Sequence, residues 1–141
     1  MIRDLLPHEY PEFLKEIPEP PKRLRLWGEP PIEGNKLVAI VGARKFTSYG
    51  REMCMSLMQG LAGYPITIVS GLALGIDSIA HKAALHAGLQ TIAVPGSGLD
   101  KSVLHPRSHV GLAEEIVESG GGLISEYDDL MPSGAWAFPR R

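Results

Sequence analysis

The chain has one cysteine in 141 residues, Cys54, so an internal disulfide is excluded. Long apolar runs are missing too: none approaches the roughly 18 to 20 residues needed to cross a bilayer. The first 21 residues are acidic and carry prolines where a secretory leader has basic and then apolar residues. A cytoplasmic protein with no membrane contact is therefore expected. An excess of charge of one sign is also absent, since 14 Lys and Arg stand against 16 Asp and Glu, a net charge of −2. This excludes binding to a polyanion by broad neutralisation and leaves only a small, local anion site. What is present is the composition of one ordinary globular domain, 44% hydrophobic and 21% charged. Cys54, within the Met53, Met55 and Met58 run, reads as a buried, inert thiol on a helix.

Proline crowds the start. Pro7, Pro11, Pro18, Pro20, Pro21, Pro30 and Pro31 fall within residues 1–35, where they remove amide donors and fix φ. This segment reads as an irregular arm that docks on the main domain through Tyr10, Phe13, Leu14, Leu24, Leu26 and Trp27. Over residues 36–141 short apolar runs alternate with helical periodicity, the pattern of βαβ units and a parallel sheet. Strands are predicted over residues 37–41, 66–69, 90–94 and 123–125, the first apolar at consecutive positions and so covered on both faces. A first helix should start at Ser48 as N-cap and end at Gly63, with Cys54, Leu57, Met58 and Leu61 inward. A second begins near Asp77 or Ser78, with Ile76, Ala80, Ala83 and Ala84 on one face, and stops at Gly88. A third covers residues 108–118 with Leu112, Ala113, Ile116 and Val117 inward. Together these give a Rossmann-like α/β fold, an open parallel sheet with helices on both faces and strand order 3-2-1-4.

In such sheets ligands sit beyond the carboxyl ends of the strands. Two turns there carry glycine: Gly42-Ala43-Arg44-Lys45-Phe46-Thr47-Ser48-Tyr49-Gly50 and Ser70-Gly71-Leu72-Ala73-Leu74-Gly75-Ile76-Asp77. Glycine lets amides approach a ligand, the following helix turns its positive dipole end toward it, and Arg44 offers a bidentate fork to a phosphate. Both turns read as phosphate cradles, although a strand-to-helix turn needs glycine for its own geometry whether or not anything binds. Neither fits G-x-G-x-x-G or G-x-x-x-x-G-K-[ST], so no NAD or ATP cofactor is inferred. After the third strand, Pro95-Gly96-Ser97-Gly98-Leu99-Asp100 leads to Lys101, His105, Arg107 and His109, either a further positive contact or solvated loop charge. Asp77 and Ser48 read as helix N-caps. His81 and His86 lack partners at metal-ligand spacing, and no catalytic motif is present.

Several of these stretches together resemble the DNA-processing protein A (DprA/Smf) family. They are Val38-Ala39-Ile40-Val41-Gly42-Ala43-Arg44, Ser48-Tyr49-Gly50, residues 70–77 with Ala80-His81, Thr91-Ile92-Ala93-Val94, Gly98-Leu99-Asp100, Ile124-Ser125-Glu126 and Phe138-Pro139-Arg140-Arg141. Tyr10-Pro11, Pro20-Pro21 and Trp27-Gly28 extend the likeness over nearly the whole chain. The resemblance implies a Rossmann-like, non-enzymatic protein that binds single-stranded DNA in a positive pocket, protects it in natural transformation and helps load a RecA-type recombinase. Carried over by position, Arg44 grips a phosphate and the second glycine turn offers amides. The implied nucleic-acid-binding set is Gly42, Ala43, Arg44, Lys45, Ser48, Ser70, Gly71, Leu72, Ala73, Gly75, Arg107, Arg140 and Arg141. Leu74 stands where the family has arginine, His105 where it has tyrosine and His109 where it has asparagine.

The family pattern continues beyond Phe-Pro-Arg-Arg, so a truncated piece or a naturally short relative is expected. With the fourth strand at an open apolar edge, the expectation is a dimer or larger assembly; a clean monomer in sedimentation at high micromolar concentration contradicts it. The competing reading is a nucleotide-binding or nucleoside-monophosphate-cleaving protein of the lysine-decarboxylase-like Rossmann group. That group's P-G-G-x-G-T-x-x-E loop lacks its threonine and glutamate here, at Pro95-Gly96-Ser97-Gly98-Leu99-Asp100.

Overall fold

The structure, a computed structural model, describes residues 1–141 except the Arg140 side chain. The arm supplies two short strands, β1 (Ile2–Asp4) and β2 (Arg25–Gly28). Four more follow, β3 (Lys36–Ala39), β4 (Ile66–Ser70), β5 (Gln90–Ala93) and β6 (Gly122–Ser125), joined through α1 (Ser48–Leu61), α2 (Ile76–His86) and α3 (Val110–Glu118). A final turn, α4 (Ala137–Arg140), closes the chain. The predicted strands and helices of the main domain are therefore found within a few residues of their expected bounds.

Their arrangement differs from the expected order. The sheet runs β1-β2-β6-β5-β4-β3, with β3 to β6 parallel and β1 and β2 antiparallel. In these labels the 3-2-1-4 expectation was β5-β4-β3-β6, which needs one reversal of direction. No reversal occurs: each crossover advances one strand the same way, and crossovers of one hand then place every helix on one face. Side-chain packing agrees. Met58 of α1 and Ala84 of α2 join Ile68 in one cluster, while Leu112, Ala113 and Ile116 of α3 meet Ala93 and Leu123 of the same face. The opposite face of β5 and β6 is covered by the arm, whose Leu5, Leu24 and Leu26, with Tyr10 and Leu14, pack on Ile92 and Ile124.

The arm is thus not irregular. Its prolines all lie outside β1 and β2, where no ladder hydrogen bond is lost. Strand β2 pairs along all of β6, from Arg25↔Ser125 to Gly28↔Gly122, so the fourth predicted strand is not an open edge. The open edge is β3, where Lys36, Leu37 and Ala39 are exposed and only Val38 turns into the core, in place of the cover expected on both faces. Phe13 also stays in solvent, and Trp27 packs beside α3 rather than with the arm. On α1 the cap is Thr47, whose Oγ1 accepts from the Gly50 amide at 3.0 Å, and Leu57 points outward.

Charged pairs fasten the arm. Arg25 makes a two-pronged contact with Asp129 at 2.8 and 2.7 Å and reaches Asp4 at 2.9 Å. Arg3 grips Glu9 through both oxygens at 2.8 Å, and with the Leu6 amide this holds the Glu9 carboxyl down at about 2. Because Leu26 is fully buried between β1 and β6, Leu26→Ala should lower the unfolding free energy by about 2–5 kcal/mol in urea titrations. An arm that merely rested on the surface would lose about 0.5 kcal/mol or less.

Candidate nucleic-acid interface

The two glycine turns meet at the carboxyl ends of β3 and β4. The Ile76 amide donates to Ala43 O at 3.2 Å, and a Cβ on Gly42 would lie 2.6 Å from the Ile76 side chain. Gly75 has φ +86°, and any Cβ there would strike the carbonyl oxygens of Ala43 and Arg44. These glycines are thus required by the approach of one turn to the other.

The second turn is held from inside. Leu72 is buried with φ +61°, a left-handed conformation that costs a branched residue about 1–2 kcal/mol. Its amide donates to His81 Nε2 at 3.3 Å and its carbonyl accepts from His109 Nδ1 at 2.7 Å. His81 Nδ1 in turn donates to Thr91 Oγ1 at 2.7 Å, and the Thr91 hydroxyl donates to Ile68 O at 3.1 Å. Only a neutral His81 can accept and donate in this way. Burial, aided by the nearby His109, pushes its pKa down to about 3. Asp77 Oδ2 accepts from the Gly71 amide at 3.0 Å, so Asp77 braces the turn; the position before α2 belongs to Gly75. Ser70 Oγ donates to Ile40 O at 2.6 Å, tying the two turns together at their base. Ser70, Gly71 and Leu72 are therefore committed to the framework, whereas the amides of Gly42, Ala43, Arg44, Lys45, Ala73 and Gly75 donate to no other group among the described residues.

Two guanidiniums meet at one aromatic ring beside these turns. The exposed Arg44 guanidinium lies 6.0 Å from the Phe138 ring centroid, and that of Arg141 lies 5.4 Å from it while donating to Gly71 O at 3.2 Å. Arg107 opens the 3₁₀ turn that ends in His109, bordering the same end of the sheet. Lys45 and Ser48 are exposed beside Arg44, and the Arg140 side chain lies outside the described residues. Lys101 is turned elsewhere, pairing with Glu114 at 3.3 Å beside Trp27.

The turn after β5 is closed over. Phe138 presses on Gly96, a Cβ on Gly98 would strike the Asp128 and Asp129 carbonyls, and the Gly98 and Asp100 amides donate to Met131 O and Asp129 O at 2.8 and 3.0 Å. Sequence reasoning missed three contributors here: Phe138, Asp77 as a brace and His81. The i, i+4 spacing of Asp77 and His81 on α2, directly after a glycine turn, was the available signal.

Two glycine turns and two guanidiniums thus stand at the carboxyl ends of neighbouring parallel strands in a Rossmann-like α/β sheet, the place where sheets of this class take ligands. A family model for DNA recombination-mediator protein A matches residues 4–141, and the chain belongs to this DprA/Smf family. It is 41% identical to Protein Smf of Escherichia coli and 34% identical to DNA processing protein DprA of Bacillus subtilis, each over 94% of this chain. It spans 35% and 44% of those proteins' lengths, so less than half of either. The X-ray structure of DprA from Streptococcus pneumoniae superposes with a TM-score of 0.88 at 34% identity, over 99% of this chain and 48% of that one. The structure of DNA processing protein A from Helicobacter pylori, which concerns its single-stranded DNA binding mode, gives 0.83 at 32% identity, over 97% and 60%.

The neutral His81 makes stability depend on pH. The unfolded ring titrates near 6.5 and the folded one near 3, so the stabilisation is complete above pH 6.5 and is lost as pH falls toward 3. Glu9, lowered from 4.5, contributes its own loss only below that value, leaving pH 6.5 to 4.5 to His81. Urea unfolding should show a decline approaching about 1.4 kcal/mol per pH unit in that window, and His81→Gln should flatten it. An unchanged slope in the variant would place the dependence on another group.

Proposed function

We propose that the carboxyl end of this sheet binds single-stranded DNA without sequence preference. Arg44 and Arg141 take phosphates, and the free amides of Gly42, Ala43, Arg44, Lys45, Ala73 and Gly75 complete the seat. The observation that carries this reading is the convergence of both guanidiniums on Phe138 beside unpaired amides, in a chain with no cationic surplus elsewhere to attract a polyanion. The single-stranded DNA binding mode of the Helicobacter pylori relative supports it. Lys45, Ser48, Arg107 and Arg140 flank the seat as secondary contacts, while Ser70, Gly71 and Leu72 act through the shape of the turn. No step of bond-making chemistry enters the reading. A nucleotide-cleaving role is disfavoured because the turn after β5, where that chemistry needs an open glycine loop, is filled by Phe138 and the 128–131 segment.

In this reading the protein acts in the cytoplasm, shields incoming strands during natural transformation and passes them to a RecA-type recombinase. No helix among the described residues is long and apolar enough to cross a membrane. Self-association belongs to the exposed β3 edge, where Leu37 and the neighbouring Val41 offer apolar surface next to unpaired backbone groups.

Labelled oligo-dT titrated at two salt concentrations tests the central claim. With about two to four phosphates held, log K should fall with log salt at a slope of roughly −1.4 to −2.8. Arg44→Ala should weaken binding by about fivefold to tenfold. Absence of binding by the wild type, or identical curves for the variant, refutes the reading.

A further inference from the structure

Arg44 sits in a stretch, residues 41–49, that is exposed at every position. Among the described residues it has no ion pair and no side-chain hydrogen bond, and its one close partner is the Phe138 ring. Left to itself, such a guanidinium samples many rotamers and loses that freedom when it closes on an anion. Phe138, by contrast, is half-buried and lodged against the turn after β5. Its Cε1 would lie only 2.6 Å from a Cβ on Gly96, so the missing side chain there makes its berth, and His105 flanks the ring at 6.0 Å between centroids. The preceding Ala137 is fully buried and its amide donates to Gly134 O at 2.9 Å. The ring therefore stands on the β5 turn while touching a cation from the β3–α1 turn and a second, Arg141, that is bonded to the β4–α2 turn.

We propose that Phe138 is the positioning residue of the anion seat, an inference that rests on the DNA-binding reading above. By cation–π contact it presents Arg44 and Arg141 as a fixed pair, so that two phosphates of one strand are met by groups already in place. Its role runs through the two arginines. A merely structural Phe138 would hold the α4 turn in place and leave the arginines' order unchanged.

Two measurements on the full chain separate these roles. In the free protein, side-chain Nε–Hε and Cδ–Hδ resonances of Arg44 and Arg141 should be displaced by the ring current; Phe138→Leu should return them to ordinary arginine positions, and Phe138→Trp should keep them displaced. In oligo-dT titrations Phe138→Leu should weaken binding about threefold to tenfold and flatten the salt slope, with Phe138→Trp near wild type. Adding Arg44→Ala to Phe138→Leu should cost less than it does alone, because the ordered state it removes is already lost. Fully additive effects, or undisplaced arginine resonances in the wild type, overturn the positioning role. If the wild type shows displaced resonances yet does not bind oligo-dT, the DNA reading falls while the ordering of the two arginines stands. If Phe138→Leu fails to fold, the wild-type resonances and the Phe138→Trp titration decide: undisplaced resonances, or loss of binding in that aromatic replacement, count against the proposal.

Discussion

The left-handed turn at Leu72 is the constraint on which the site depends. A buried leucine at φ +61° persists only because its amide rests on His81, its carbonyl is bonded by His109, and the preceding Gly71 amide is held by Asp77. The clamps come from two places, Asp77 and His81 from α2 and His109 from the turn before α3, with Thr91 of β5 behind His81. One local conformation thereby ties β4, β5, α2 and the 107–109 turn together. It also aims the Gly71 carbonyl at Arg141 and leaves the amides of Ala73 and Gly75 without a partner among the described residues. The strain is offset by three hydrogen bonds, two of them buried, where leaving a group unpaired would cost about 1–3 kcal/mol.

The same interior sets the electrical character of the site. His81 is kept neutral by burial, so the positive charge near the turns comes from Arg44, Arg141 and Lys45 and not from this ring. With a net charge of −2 the molecule has no general attraction for polyanions, and the positive charge at the strand ends comes from a local pair of arginines on one ring with Lys45 and Arg107 nearby. Specific placement substitutes for quantity of charge.

The architecture follows from one topological fact, that successive parallel strands advance in a single direction. All three long helices then share one face, and the opposite face of β5 and β6 must be covered by something else. The proline-bearing arm does this, adding β2 to β6 and burying Leu5, Leu24 and Leu26. The lead-in expected to be an irregular arm is part of the sheet, and the exposed parallel edge is β3.

Local sequence determined the elements: consecutive aliphatic residues at 66–70 and 90–93 make strands, the i, i+4 pair Cys54 and Met58 turns α1 inward, and the two glycine turns mark where a ligand could sit. Period and turn chemistry are written in neighbouring residues and are readable from them. Tertiary structure alone decided the strand order, the pairing of Arg25 with Asp129 across 104 residues, the clamp on Leu72, and the meeting of Phe138 with Arg44 and Arg141. These joins link segments distant in the chain, and their energies come from shared burial and from charges brought together only when the sheet closes, so no short window of residues records them.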